Sequence, residues 1–246
     1  MSIKRDGIFK FFIKVIAHPY KFLKEKYALK RYASIPIEDR FTSIYNSNKW
    51  GSQESLSGSG STLKYTENLR HELPNLVAEF AIKKIFDAPC GDFNWMRHLL
   101  PIIKVDYIGG DIVKPLIDSL KDKYGNERVS FIHIDLINQS FCSADLMICR
   151  DCLFHLSYKD TRSLLQNFLD ADIPYLLTTT HVNNGSFINK DIQTGNFRLI
   201  DLFSAPYCFS NNPLYVIDDW IEPDPERKMC LWSRNQVSEM ISNLIN

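Results

Sequence analysis

The run KKIFDAPCGDFNW at residues 83–95, answered by YIGGDIV at residues 107–113, constrains the fold more than any other part of this 246-residue chain. It reads as strand, tight turn, strand and acidic tip. An apolar strand ending at Asp87 enters a Pro-Cys-Gly turn. There Gly91, without a Cβ, lets the backbone approach a ligand closely, and the start of the next helix offers unpaired N–H groups. A second strand ends at Asp111. In nucleoside-binding α/β folds an acid about 20 residues beyond the glycine turn accepts hydrogen bonds from ribose hydroxyls. The expected architecture is therefore α/β, a doubly wound and mostly parallel sheet.

With 246 residues, 45% of them hydrophobic, the chain is long enough for one such domain with a short appendage and too short for two. Division into a basic amphipathic helical extension at 1–40 and one domain at 41–246 follows. The six cysteines sit mostly in apolar, strand-like runs, without the framework of a disulfide-stapled secreted domain, and point to a reducing cytoplasm. Cys149 and Cys152 form a CxxC, but no second pair follows at zinc spacing, so structural thiols are expected and no metal.

Charge is uneven. Residues 1–32 hold nine Lys or Arg against Asp6 and Glu25, a balance of +7, which leaves −7 for the rest of a chain with no formal net charge. An acidic domain argues against a nucleic-acid substrate, because neutralising phosphates needs a basic face. Ile8, Phe9, Phe12, Val15 and Ile16 recur at helical spacing with Lys10 and Lys14 on another side. Residues 1–17 are thus a candidate for peripheral contact with the inner membrane face; docking on the domain or on an oligomer partner is the alternative, and the oligomeric state stays open. The lysines interrupt the apolar run, so neither a signal-peptide core nor a spanning helix fits. Pro19 should divide this head from a second basic helix at 20–33.

Along the domain, residues 67–81 read as a helix, 83–88 as the first strand, and a helix begins at 95–100. Pro115 suits a first helical turn with Gly125 closing the helix, and 129–135 return as strand. Residues 146–149 read as a buried fourth strand. Ser157 and Asp160 form the S-x-x-D of a capping box before the apolar stripe Leu164, Leu165, Phe168 and Leu169, and YLLTTT at 175–180 is the fifth strand. The Ser/Gly stretch at 52–62 has the composition of a flexible linker.

These residues resemble class I S-adenosylmethionine-dependent methyltransferases, whose first motif is matched by Asp87, Ala88, Pro89, Cys90, Gly91, Asp92 and Phe93, with Pro89 and Phe93 standing where two glycines usually fall. FIHIDL places Asp135 where that family's acid meets the adenine amino group, and ADLMICRDCLFHLS at 144–157 looks like the fourth motif. From Trp50 to about Trp232 the chain also resembles a bacterial subgroup associated with surface-polysaccharide gene clusters, through WG, SGSGS, DAPCGDFNW, CRDCLFHLS, TTT and DIQTGNFR. The resemblance implies a seven-stranded sheet closed by an antiparallel pair, LYVID and KMCLW. It implies S-adenosylmethionine as cofactor, held by Asp87, Pro89, Cys90, Gly91, Trp95, Asp111, Ile112, Asp135, Leu136 and Arg150. The acceptor it implies is a small polar molecule, sugar-linked. Segment 52–62 then has a second reading, a lid that offers Ser57 to Ser61 to a carboxylate.

Methyl transfer asks for positioning more than covalent help, with water excluded. His155 is one candidate general base, titrating near neutral pH, and Asp151, four residues earlier, orients it if the turn is helical. His181 competes for the role. Arg150 either binds an anion or pairs with Asp151 or another acid. The polar segment 183–198 reads as a loop in which Asn189, Asp191 and Arg198 either contact substrate or cap the loop's own turns. A nicotinamide oxidoreductase shares the strand, turn and distal acid, but GxGxxG is missing and the only Tyr and Lys pairs four apart, Tyr20 with Lys24 and Tyr45 with Lys49, precede the first strand. A non-catalytic, membrane-attached module with this fold is the other rival.

Overall fold

The computed structural model describes residues 34–50 and 52–243. The amphipathic head and the second basic helix expected at 1–33 lie outside the described residues. The sheet and its helices belong to the unit Phe41–Asn246.

Helix α1 (Ile37–Asn46) precedes a 3-10 turn at Ser59–Ser61 and helix α2 (Glu67–Glu79). Strand and helix then alternate, except that β3 leads directly to β4: β1 (Lys84–Asp87), α3 (Met96–Ile103), β2 (Asp106–Asp111), α4 (Lys114–Tyr124), β3 (Val129–His133), β4 (Leu146–Cys149), α5 (Tyr158–Asp170) and β5 (Tyr175–His181). The chain ends with β6 (Tyr215–Asp218), β7 (Arg227–Ser233) and α6 (Arg234–Asn243). The seven strands lie in the order β3-β2-β1-β4-β5-β7-β6. β1 to β5 pair in parallel, and β7 runs antiparallel to both β5 and β6. The closing pair implied by LYVID and KMCLW is therefore present.

Alternation along the central strands divides the core into two layers. Ile85, Leu146, Ile148 and Leu177 join Leu69, Leu73 and Leu76 of α2, Leu99 of α3 and Ile117 of α4 on one face. Phe86, Met147 and Leu176 join Leu164, Leu165 and Phe168 of α5 and Met240 of α6 on the other. Each fully buried Leu, Ile or Phe contributes roughly 1.5–3 kcal/mol relative to exposure, so these two layers supply most of the driving force for folding. Strands buried on both faces read as continuous apolar runs, which is why LMIC was legible as a strand without any period-2 pattern.

The helix ends follow the sequence with one difference. Ser157 Oγ accepts the Asp160 N–H at 3.1 Å and caps α5, but the reciprocal half of the box is replaced: Asp160 accepts a hydrogen bond from Thr194, whose Oγ1 also accepts the Ser157 N–H. A distant loop residue thus completes the cap.

Gly109 and Gly110 of β2 sit where the layers are tightest. A Cβ on Gly109 would lie 2.7 Å from Phe131 Cδ1, and one on Gly110 would lie 2.9 Å from Ile134 Cγ2. Phe131 is buried and pinned edge-on to Phe93, so it has little room to yield. Gly109→Ala should lower the urea-unfolding free energy by about 1–3 kcal/mol through overpacking, at an unchanged m-value. An unchanged midpoint would show that the Phe131 ring is freer than its packing indicates.

Candidate functional site

Strand order reverses at the β1/β4 boundary, and in open α/β sheets ligands bind outside the carboxyl ends of the strands at such a point. Those ends carry Asp87, Asp111 and the Cys149–Arg150–Asp151 step. Cys90 N–H donates to Gly110 O at 2.8 Å, which brings the turn after β1 against the end of β2. Gly91, at φ +54°, donates its N–H to Asp111 Oδ2 at 3.1 Å, while Val113 N–H donates to Oδ1 at 3.0 Å. Burial raises the Asp111 pKa and those N–H groups counter it. Asp87 accepts the Tyr107 hydroxyl at 2.8 Å, and burial pushes its pKa up to about 7 despite that bond.

Phe93 holds φ +61°, a left-handed conformation in which bulky residues are uncommon. Its ring packs among Tyr107, Tyr124 and Phe131 with centroids 5.0–5.4 Å apart. The backbone keeps a glycine-like bend where the sequence has no glycine, and aromatic burial offsets the strain. Pro89 and the buried Cys90 complete the turn, and burial raises the Cys90 thiol well above its usual pKa.

Segment 52–62 is folded onto this turn rather than running as a free linker. Asp92 is the latch: it accepts hydrogen bonds from Ser55 Oγ (3.0 Å), Leu56 N–H (2.7 Å) and Ser57 Oγ (3.3 Å), while its own N–H donates to Ser57 Oγ (2.8 Å). Glu54 accepts from Leu63 N–H and Asn94 Nδ2, both at 2.7 Å. A Cβ on Gly91 would lie 2.2 Å from Ser57 Oγ, so only glycine permits this approach.

Beneath the segment lies a cluster of four charges. Arg150 donates to Asp219 from Nε (2.9 Å) and Nη2 (3.0 Å), and from Nη2 to Gly60 O (2.7 Å); its Nη1 lies 3.3 Å from Asp151. Arg227 donates from Nε to Asp219 O at 2.8 Å, and its Nη1 lies 3.0 Å from Asp151 Oδ1. Trp95 and Tyr65 flank Arg150 at 5.9 and 6.0 Å, and Tyr65 lies 4.7 Å from the Arg227 guanidinium. Burial raises the Asp151 pKa, but Arg150 and Arg227 outweigh it and hold the carboxyl below its usual range. Asp219 and Arg227 were missed in the sequence; their only signals were an acid after one strand and a cation opening the next.

The expected Asp151–His155 pairing is not what forms. Asp151, at φ +54°, is turned toward the two arginines, and Thr179 Oγ1 accepts its N–H at 2.9 Å. The Nδ1 of His155 instead lies 2.7 Å from the Asn196 carbonyl. A carbonyl only accepts, so Nδ1 carries the proton and Nε2 presents a lone pair. Burial lowers the His155 pKa. His181 has the opposite tautomer: its Nδ1 accepts the Ile200 N–H at 3.2 Å, which puts the proton on Nε2 and uses up the basic nitrogen. Burial, reinforced by Arg227, depresses its pKa to about 4.

The remaining predicted residues are placed as follows. Asp135 forms an Asx turn beyond β3, accepting from Ile137 N–H and Asn138 Nδ2, both at 2.8 Å. The Leu136 side chain lies in the core, and Ile112 O lies 3.0 Å from His133 Nε2. Asn189 is consumed by its loop: Oδ1 accepts Asp201 N–H, and Nδ2 donates to the carbonyls of Asp201 and Ala205. Asp191 accepts the Tyr158 N–H at 2.8 Å at the start of α5. Arg198 points inward, bonded to the Tyr207 hydroxyl and 5.0 Å from the Tyr158 ring, with Nε and Nη1 lacking hydrogen-bond partners. All three hold the loop in place. Among the described residues, no group of three or more His, Cys, Asp or Glu is arranged to hold a metal, and no helix is long and apolar enough to cross a membrane.

No family model and no curated protein matches the chain. Solved structures do. A 1,6-didemethyltoxoflavin-N1-methyltransferase from Burkholderia thailandensis, with its substrate and S-adenosylhomocysteine bound, aligns at TM-score 0.57 and 15% identity over 83% of this chain and 89% of that one. The magnesium protoporphyrin IX methyltransferase of Synechocystis PCC 6803, with S-adenosylmethionine bound, aligns at 0.55 and 12% over 82% and 98%. The methyltransferase domain of a bacterial Hen1 protein aligns at 0.51 and 13% over 68% and 98%. The fold is that of the class I methyltransferases.

His181 sets an acid limit on stability. Its folded pKa, about 4, is below the unfolded value of 6.5, so the unfolded state binds more protons and stability falls as pH drops from 6.5 through about 4. At full effect the loss is about 3 kcal/mol. His181→Asn, whose Oδ1 still accepts from Ile200, should lose less stability than wild type between pH 7 and 4 in parallel urea titrations; equal losses would assign the acid sensitivity to other groups.

Proposed function

We propose that this chain is an S-adenosylmethionine-dependent methyltransferase acting on the oxygen of a small polar acceptor, with a sugar or sugar-linked precursor of surface polysaccharide favoured by the sequence resemblance. The observation that carries the reading is the joint between Gly91 and Asp111 at the point where strand order reverses. A buried carboxylate stands at this joint and has spent one oxygen lone pair on Gly91 N–H and one on Val113 N–H, leaving the others to accept from paired hydroxyls. That set of acceptors fits the hydroxyls of a ribose.

In this reading Asp111 holds the ribose, Asp135 the adenine amino group, and the turn of Pro89, Cys90 and Gly91 the space between, with Trp95 and Ile112 as apolar neighbours. When bound, the donor supplies an electrophilic methyl carbon on sulfonium, and the sulfur keeps the bonding pair after transfer. The protein's own tasks are to fix the acceptor oxygen, exclude water and remove one proton. Segment 52–62 does the excluding. Arg150 serves by fixing the Gly60 carbonyl beneath that segment, since both aspartates already neutralise it. His155 Nε2 removes the proton: its partner on Nδ1 fixes the tautomer, and its lowered pKa keeps it neutral near pH 7. Cytoplasmic location, with the basic head at the inner membrane face, belongs to the same proposal.

Two measurements test it. Wild type should bind S-adenosylhomocysteine saturably in calorimetry, and Asp111→Ala should weaken binding by about 2 kcal/mol or more, the loss expected for hydrogen bonds to a charged acceptor. No saturable binding by wild type would end the reading. With an acceptor pool drawn from cell extracts and a labelled donor, His155→Ala should transfer label 10²- to 10⁴-fold more slowly, by the order typical of general bases. The wild-type rate should fall on the acid side as His155 protonates, and the variant should lack that limb. An unchanged limb in the variant would remove His155 from the role.

A further inference from the structure

We propose that Trp50 and Phe197 are the walls of the acceptor site and that the acceptor presents a saccharide ring between them, with a ring hydroxyl toward His155 Nε2. This rests on the methyltransferase reading above and names the substrate class of that same site.

Three observations support it. First, Trp50 and Phe197 are 38% and 59% exposed, although large aromatic side chains are normally well buried. Second, both meet the same imidazole: Trp50 lies 6.1 Å from the His155 ring and Phe197 lies 5.9 Å from it, with Phe154 packed behind at 4.6 Å. Third, both walls are packed against their surroundings. Gly195 N–H donates to His155 O at 2.8 Å and Arg198 N–H to Phe154 O at 3.2 Å, so the backbone on each side of Phe197 is fixed to the 3-10 turn Leu153–His155. Trp50 Cβ lies 3.3 Å from where a Cβ on Gly58 would stand, so that wall abuts segment 52–62.

The chemistry selects a saccharide. Trp50 and Phe197 are tilted at 32° and 57° to the imidazole, so each presents an exposed ring beside it. A pyranose chair has one face of C–H groups, electropositive at hydrogen, which suits the negative face of an indole or phenyl ring. Its hydroxyls then project at the edge. There Nε2 is the one imidazole nitrogen left to accept, since Nδ1–H is committed to Asn196 O.

The test uses the full chain saturated with S-adenosylhomocysteine and a panel of methyl glycosides of hexoses, 6-deoxyhexoses and hexuronic acids, with a matched panel of phenols, read by saturation-transfer NMR. At least one glycoside should bind saturably, with strongest transfer to ring C–H protons. Trp50→Ala and Phe197→Ala should each weaken it about tenfold or more, equivalent to 1.4 kcal/mol, and Phe197→Tyr should restore it. S-Adenosylhomocysteine affinity should be unchanged in all three variants. The proposal is overturned if no glycoside binds while S-adenosylhomocysteine does, if glycoside binding is indifferent to both alanine variants, or if phenols alone bind in a Trp50- and Phe197-dependent way. Failure of wild type to bind S-adenosylhomocysteine is a separate result that removes the underlying methyltransferase reading.

Discussion

Arg150 and Arg227 share two aspartates, Asp151 and Asp219, in a buried site that joins the end of β4, the connection between β6 and β7, the start of β7 and segment 52–62. Moving an ion into a protein interior costs several kcal/mol even after relaxation, and mutual attraction repays this only where the remaining donors and acceptors are also satisfied. Two cations against two anions leave no net charge. The bidentate Arg150–Asp219 pair and the bonds to Gly60 O and Asp219 O occupy most of the remaining donors, although Arg227 Nη2 has no hydrogen-bond partner. Such a cluster adds little to stability compared with well-packed apolar residues, but loss of one member leaves an uncompensated buried charge at a cost of roughly 3–5 kcal/mol. Its effect is one of geometry: segment 52–62, the fourth strand and the antiparallel hairpin must all be in place before the four charges are paired together.

Segment 52–62 is tied to that register twice. Gly60 O is held from below by Arg150, and Asp92 holds Ser55, Leu56 and Ser57 from the side of the glycine turn. Asp92 and Arg150 lie on neighbouring strand ends, β1 and β4, so closing the segment reports that the central pair of the sheet has formed. The turn itself is shaped by packing as much as by glycine. Phe93 keeps a left-handed backbone because its ring has three aromatic partners, which replaces a residue with no side chain by one whose side chain makes the strained conformation worthwhile.

How much of this was legible in the sequence follows from the range of the interactions. Strands β1 and β4 were readable because burial on both faces gives uninterrupted apolar runs, and Gly91 with Asp111 because the hydrogen bond between them is set by one βαβ unit. The cap of α5 was half readable: Ser157 acts on Asp160, three residues away, whereas Thr194 arrives from a loop 34 residues from Asp160. Arg150 had a partner in view, Asp151, yet its bidentate pairing is with Asp219, 69 residues away, because β7 inserts beside β5 and brings that connection to the end of β4. Sequence spacing likewise suggested Asp151 for His155. The left-handed residue at 151 sends the carboxylate elsewhere, and no local pattern announces a positive φ at an aspartate.

The two histidines show why hydrogen-bond direction separates candidates that composition cannot. Both are near the ends of β4 and β5, both have pKa values lowered by burial, and both contact Phe154 and Phe197. At His181 a backbone N–H takes the lone pair, so the ring can only donate and a proton could be added only by breaking that bond in a buried place. At His155 a backbone carbonyl takes the proton of Nδ1, which leaves Nε2 able to accept and lets the imidazolium, once formed, keep its bond to Asn196 O. A base must be stable in both protonation states during turnover, and only the second arrangement provides for both. The carbonyl that does this belongs to the residue before Phe197, so in the proposed role the segment that fixes the tautomer of His155 also places the Phe197 ring beside it.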